Sequence, residues 1–217
     1  MTQTAWRMSH PTSRWARAFG VFEPPVLAKV LAVVADALRA GGLRWYVFGA
    51  QAVLAYGRPR LTADLDITVM AELEQVPGLV SRLGAAGLVL QSAATERFVR
   101  RTRVLPFVHE ATGIPVDIVL GGPGLEQDFV ANAREIVLGG VSVPVISPED
   151  LIVTKILAGR PKDRDDVDGV LREQLPDLDL ERCRRFLSML EAALDRDDLL
   201  PELEEALGRT RSCQASR

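Results

Sequence analysis

Cysteine is scarce in this chain of 217 residues, which holds only Cys183 and Cys213. Two thiols, one of them in a polar tail, exclude the disulfide framework of a small secreted domain and suit a reducing cytosol. Histidine is equally scarce. No cysteine or histidine lies at metal-ligand spacing from His109, which therefore reads as an ordinary strand histidine. No apolar run approaches the roughly 18 residues of a membrane span, so a cytoplasmic protein without a membrane partner is expected. The formal net charge of −3 leaves no global basic field, and any nucleic-acid contact must come from a local patch. There is no internal repeat and no low-complexity tract. With 47% hydrophobic and 25% charged residues, the chain can bury a core as one domain, or as a core plus an appendage.

Residues 1–23 carry Arg7, Arg14 and Arg17 and no acid before Glu23. They lack the apolar stretch of a secretory signal. Their basic, acid-poor composition has something of a transit peptide, but they read best as a loose N-terminal extension. From Val26 to Arg39 apolar residues recur at helical spacing, between Pro24-Pro25 and Gly41-Gly42. "LRWYVF" is a short strand broken by Gly49, and "AQAVLAYG" is a short helix ending at Gly57. A strand is expected over 64–70, a helix over 72–86 interrupted near Pro77-Gly78, and an extended segment over 97–109 with Pro106 at an edge or bulge. "IPVDIVLGG" is a further strand, 125–134 a short helix, and "EIVLGGVSVPVI" a hairpin around Gly139-Gly140. From Ser147, a helix N-cap followed by Pro148, the pattern is helical only, with helices near 148–158, 162–172, 179–194 and 199–208. The implied organisation is an extension (1–23), a mixed α and β core (24–146), a helical region (147–210) and a tail (211–217).

Two aspartates, Asp64 and Asp66, open an otherwise apolar β-branched run. On a strand they share a face, and buried carboxylates demand a compensating partner. Upstream, a strand ends at Gly49 and a helix begins at once, which offers backbone amides to a phosphate. A later strand adds Asp117. Three carboxylates suit one or two Mg²⁺ ions, with Mn²⁺ as the alternative, and such ions share their coordination with substrate phosphates. Together these features fit nucleotidyl transfer from an NTP.

The segment "GAQAVLAYGRPRLTADLDI" resembles the signature of the nucleotidyltransferase superfamily with the DNA polymerase β-like fold, in its AbiEii/AbiGii toxin-type branch. The matching positions are Gly57, Arg60, Thr62, Asp64 and Asp66, with Asp117 as the third acid. "LIVTKILAGRPKDRDDV" resembles the branch's second motif through Lys155, Arg160, Lys162, Asp163 and Asp166. The resemblance implies an α+β fold: a minimal nucleotidyltransferase core of mixed β-sheet flanked by helices, with a C-terminal helical appendage. It implies that Asp64, Asp66 and Asp117 hold the metal, with Lys155 and Asp166 completing the catalytic set. Gly49, Ala50, Arg60, Thr62, Lys155 and Arg160 would hold the NTP. It further implies a toxin of a toxin–antitoxin pair, with a cognate antitoxin protein as partner and tRNA 3′ ends or protein as acceptor. The rival readings are an antibiotic nucleotidyltransferase of aminoglycoside type, and a non-catalytic nucleotide-binding module with this fold. Ala50 departs from the Gly or Ser usual after the first glycine, and the missing hydroxyl forfeits a phosphate hydrogen bond of about 1.5–3 kcal/mol.

Each residue also has a plainer role. Arg60 has structural partners within reach in Asp64 or Glu110, Lys155 fits the polar stripe of an amphipathic helix, and Asp163 and Asp166 complement a helix N-terminus. "DLDL" at 177–180 repeats the Asp–x–Asp pattern without an upstream glycine turn and reads as a helix cap. The arginines of "ERFVRRTR" read equally as a charged strand edge or as a groove for an RNA backbone.

Overall fold

The computed structural model describes residues 25–58 and 64–215. Helix α1 (Pro25–Ala40) leads into strand β1 (Trp45–Phe48), helix α2 (Gly49–Tyr56) and strand β2 (Leu65–Met70). A 3-10 turn and α3 (Val76–Ala85) precede β3 (Leu88–Leu90), α4 (Glu96–Thr102), β4 (Val104–His109) and β5 (Pro115–Gly121). Then come α5 (Leu125–Asn132) and the hairpin β6 (Arg134–Leu138) and β7 (Val141–Val145). Helices α6 (Pro148–Ala158), α7 (Pro161–Gln174), α8 (Leu180–Leu194) and α9 (Leu199–Ala215) complete the order.

The strands form one mixed seven-stranded sheet in the order β3-β4-β5-β2-β1-β7-β6. β2 runs parallel to β5 and β1 parallel to β7, while the other neighbours are antiparallel. Alternation along the central strands explains their burial. Leu65, Ile67 and Val69 of β2 and Val116, Ile118 and Leu120 of β5 are buried beside Leu105 and Phe107 of β4. Helix α1 contributes Leu27, Val30, Leu31, Val34 and Leu38, a single helical face, to the same core. Each such side chain stabilises the fold by about 1.5–3 kcal/mol. The C-terminal helices share this core through Leu151, Ile152, Val170, Phe186 and Leu203. Among the described residues no helix is long and apolar enough to cross a membrane.

Most expected elements form. Ser147 caps α6 by accepting from the Asp150 N–H at 3.1 Å, and Asp179 of "DLDL" caps α8 by accepting from the Arg182 N–H at 3.0 Å. His109 is a strand residue bonded to the Thr112 hydroxyl at 2.8 Å. The segment 97–109 is a correction: its first half is helix, not strand. Thr95 accepts from the Phe98 N–H and starts α4, an Arg100–Glu96 pair one turn apart supports it, and Arg103 ends it in the left-handed region at φ 58°. Local capping outweighs the β-branched character of the run.

Candidate active site

The site is assembled where three strand ends meet. β1 ends at Phe48, whose register partner on β2 is Asp66, and Asp66 in turn lies opposite Asp117 on parallel β5. The two aspartates therefore stand side by side on the sheet face opposite the Leu65–Ile67–Val69 stripe. Asp64 lies one residue before β2, exposed, with its carbonyl accepting from the Gln51 amide at 3.3 Å. Gln51 itself is buried in the first turn of α2.

Gly49 shapes this corner in two ways. Its φ of +64° is a left-handed conformation that disfavours a side chain, and a Cβ there would overlap the Asp66 carboxylate, with Cγ only 2.7 Å away. The carboxylate lies against the start of α2 and accepts the Ala50 N–H. The close approach permitted by Gly49 is thus used by Asp66. In this structure an aspartate occupies the helix N-terminus that the sequence offered to a phosphate.

Around Asp66 the electrostatics are dominated by burial and by neighbouring carboxylates. Burial first, then the charges of Asp64 and Asp117, push the Asp66 carboxyl up to about 6, against the opposing pull of Lys155 and the Ala50 N–H. Burial and then the Asp64 charge raise Asp117 as well. Carboxylates that repel one another call for a cation, and their all-oxygen donor set suits Mg²⁺. Among the described residues, no group of three or more His, Cys, Asp or Glu side chains is arranged so that it could hold a metal ion. A cation held by Asp66 and Asp117 would therefore need further ligands from outside the protein, such as substrate phosphates.

A second cluster borders the first. Lys155, buried on α6, donates to Asp163 Oδ1 at 2.9 Å and to Asp166 Oδ2 at 2.7 Å. Arg160, in the short turn between α6 and α7, donates from Nε to Asp163 Oδ2 at 2.5 Å and from Nη2 to Asp163 Oδ1 at 3.1 Å. Burial would raise the Asp163 carboxyl, but hydrogen bonds and charge from Arg160 and Lys155 outweigh it and hold the group below the ordinary range. The fields of Asp66 and Asp166 also reach Arg160.

The fold thus gathers Gly49, Ala50, Asp64, Asp66, Asp117, Lys155, Arg160 and Asp166 into one region. Arg60 and Thr62 lie outside the described residues. Asp163 and Gln51 carry more of the architecture than their sequence positions suggest. A signal for Asp163 does exist, because it stands three residues after Arg160 and eight after Lys155, so one turn between helices brings all three together.

The arginine run stands elsewhere. α4 connects β3 to the start of β4, at the end of the sheet opposite the one where Asp66 and Asp117 enter β2 and β5. Arg103 donates to the carbonyls of Leu120 and Ala71 at 3.3 Å, tying strand ends together. The reading of these arginines as a strand edge does not survive, since Arg97, Arg100 and Arg101 lie on α4 and only Arg103 has left the helix.

Residues 120–197 match a protein family described as nucleotidyl transferase of unknown function. The match spans the Lys155–Asp166 cluster and begins just after Asp117. Among solved structures, an antigenic nucleotidyltransferase-like protein from Paracoccidioides brasiliensis is similar at 18% identity and TM-score 0.51, over 82% of this chain and 92% of that one. The antibiotic-resistance factor ANT(2'')-Ia is 16% identical at TM-score 0.48, over 88% and 94% of the two chains. A lincosamide antibiotic adenylyltransferase is 16% identical at TM-score 0.47, over 65% and 94%. Among curated proteins, none matches the sequence. The fold is the α+β nucleotidyltransferase fold. The family match and this fold together support a nucleotidyltransferase.

Proposed function

We propose that the chain transfers a nucleoside monophosphate from an NTP to an acceptor hydroxyl, using divalent metal at Asp64, Asp66 and Asp117. The observation that carries this reading is the pairing of Asp66 with Asp117 across parallel strands, at the glycine-started N-terminus of α2. The charges of Asp64 and Asp117 raise the proton affinity of Asp66, a repulsion that a bound cation would relieve. Mg²⁺ held there would neutralise the charge that builds on the transferring and leaving phosphates.

The chain's own residues would do the rest. The acceptor oxygen attacks the α-phosphorus, forming the new O–P bond as the bond to the β-phosphate oxygen breaks and pyrophosphate leaves. Asp117, standing beside Asp66 on the parallel strand, takes the proton of the attacking hydroxyl. Arg160 presents an exposed guanidinium to the triphosphate, joined by Arg60 and Thr62, and Lys155 adds positive field. Ala50 contributes a backbone amide once its bond to Asp66 is exchanged for one to phosphate.

For the acceptor, the resemblance to the AbiEii/AbiGii branch supports tRNA 3′ ends or protein, in a toxin held in check by an antitoxin. The test is label transfer from each α-labelled NTP, with Mg²⁺, into total bacterial RNA or protein beside an Asp66→Ala control. Labelled tRNA or protein that vanishes in the control is expected, with growth arrest on expression of the wild type alone. Label found only on an added aminoglycoside would overturn the toxin reading and leave nucleotidyl transfer standing.

A further inference from the structure

We propose that Asp163 is a positioning residue: its buried carboxylate fixes the Arg160 guanidinium, and with Asp166 the Lys155 ammonium, beside the Asp66 carboxylate, so that Arg160 meets the NTP phosphates already oriented. The inference rests on the nucleotidyltransfer reading and assigns Asp163 a task within it.

An aspartate in the first turn of a helix ordinarily complements the helix dipole from solvent. Asp163 does not: its side chain is 0% exposed. Both of its oxygens are engaged, Oδ1 by Lys155 Nζ and Arg160 Nη2, and Oδ2 by Arg160 Nε. Arg160 precedes α7 with extended backbone (φ −73°, ψ 151°), so the helix does not orient its side chain. The guanidinium is nonetheless held by a bidentate fork while its side chain remains 58% exposed. Five N–H donors belong to a guanidinium, and those not facing Asp163 are left to meet a phosphate. An exposed arginine otherwise samples many rotamers, and prior fixing lowers the ordering cost at the moment of binding. Lys155, buried with both Asp163 and Asp166, keeps the base of this arrangement rigid.

The Asp163→Asn variant keeps an acceptor oxygen and leaves Lys155 paired with Asp166, so the chain is expected to fold. Binding of each of the four Mg²⁺–NTPs is measured calorimetrically for wild type, Asp163→Asn, Arg160→Ala and the double variant. Asp163→Asn is expected to weaken binding roughly ten-fold, about one hydrogen-bonded contact's worth, with Asp163→Glu restoring part of it. The double variant is expected to bind no more weakly than Arg160→Ala alone, because both changes remove one interaction. In turnover the loss should appear in KM, with kcat little changed. A ligand-free readout accompanies these: the Arg160 Nε–H resonance, protected from exchange in the wild type, should lose protection in Asp163→Asn. Additive losses, or an unchanged Arg160 resonance, would overturn the assignment while NTP binding keeps the parent reading intact. A wild type that binds none of the four NTPs overturns the parent reading, and this inference with it.

Discussion

Two groups of acids in this molecule are treated in opposite ways. At the start of α6, Glu149 and Asp150 are each matched to an arginine. Arg134 bonds both Glu149 oxygens at 3.1 and 3.2 Å, and Arg182 grips Asp150 in a fork at 2.8 and 3.0 Å. At the start of β2 and β5, Asp66 faces Asp117 across the ladder and Asp64 before it. Burial raises both Asp150 and Asp66. For Asp150 the next influences are the hydrogen bond and charge of Arg182, which pull it down, whereas for Asp66 they are two more carboxylates, which push it further up. Asp150 is thus matched to a cation within the framework, whereas the largest charge influences on Asp66 come from other carboxylates.

Substitution should split the two groups most sharply. Asp66→Asn is expected to lower nucleotide transfer by roughly 10²–10⁴-fold, the several kcal/mol that metal-stabilised charge contributes, measured by single-turnover label transfer. Asp150→Asn is expected to cost about 3–5 kcal/mol of stability in urea denaturation, because Arg182 is left largely buried without its partner. Loss of stability in both variants to a similar degree would erase the distinction.

In metal-free buffer near neutral pH, Asp66→Asn should instead gain stability, by at most about 3 kcal/mol for a shift of roughly two pK units. The pH dependence has a definite sign. The folded chain keeps the Asp66 proton up to about pH 6, while the unfolded chain releases it near the ordinary value of 3.8. The folded state therefore binds more protons in between, and stability falls as pH rises through that window. Urea midpoints from pH 4 to 7 should show this fall in the wild type and a flatter profile in Asp66→Asn.

The smallest expected effect on stability lies at Gly49. Gly49→Ala adds a side chain at φ +64°, costing about 1–2 kcal/mol, and drives the Asp66 carboxylate from its seat. Stability should fall slightly and transfer considerably, as read by melting and label transfer together. Unchanged transfer would show that the Asp66 position seen here is not the working one.

Much of this was legible in the chain itself, because local signals agreed with the fold. Gly49 does fall between a strand and a helix, Asp66 does lie at the start of an apolar strand, and Ser147–Pro148 do open a helix. The misreading at 97–109 arose because Phe98 and Val99 favour strands, while Thr95 and the Glu96–Arg100 pair make a helical turn. The depth of Asp163 was hidden for another reason. Burial depends on how α6 and α7 pack, and an aspartate at a helix start looks the same in sequence whether solvent or a lysine faces it.

The most direct test is a thermal shift of metal-free protein on adding Mg²⁺ with a non-hydrolysable NTP, for the wild type and Asp66→Asn. The wild type should rise by the equivalent of about 2.7 kcal/mol when ligand is present at 100 times its Kd, and the variant should stay where it began. Equal shifts in the two proteins, or none in the wild type, would contradict a cation-and-phosphate site built on Asp66.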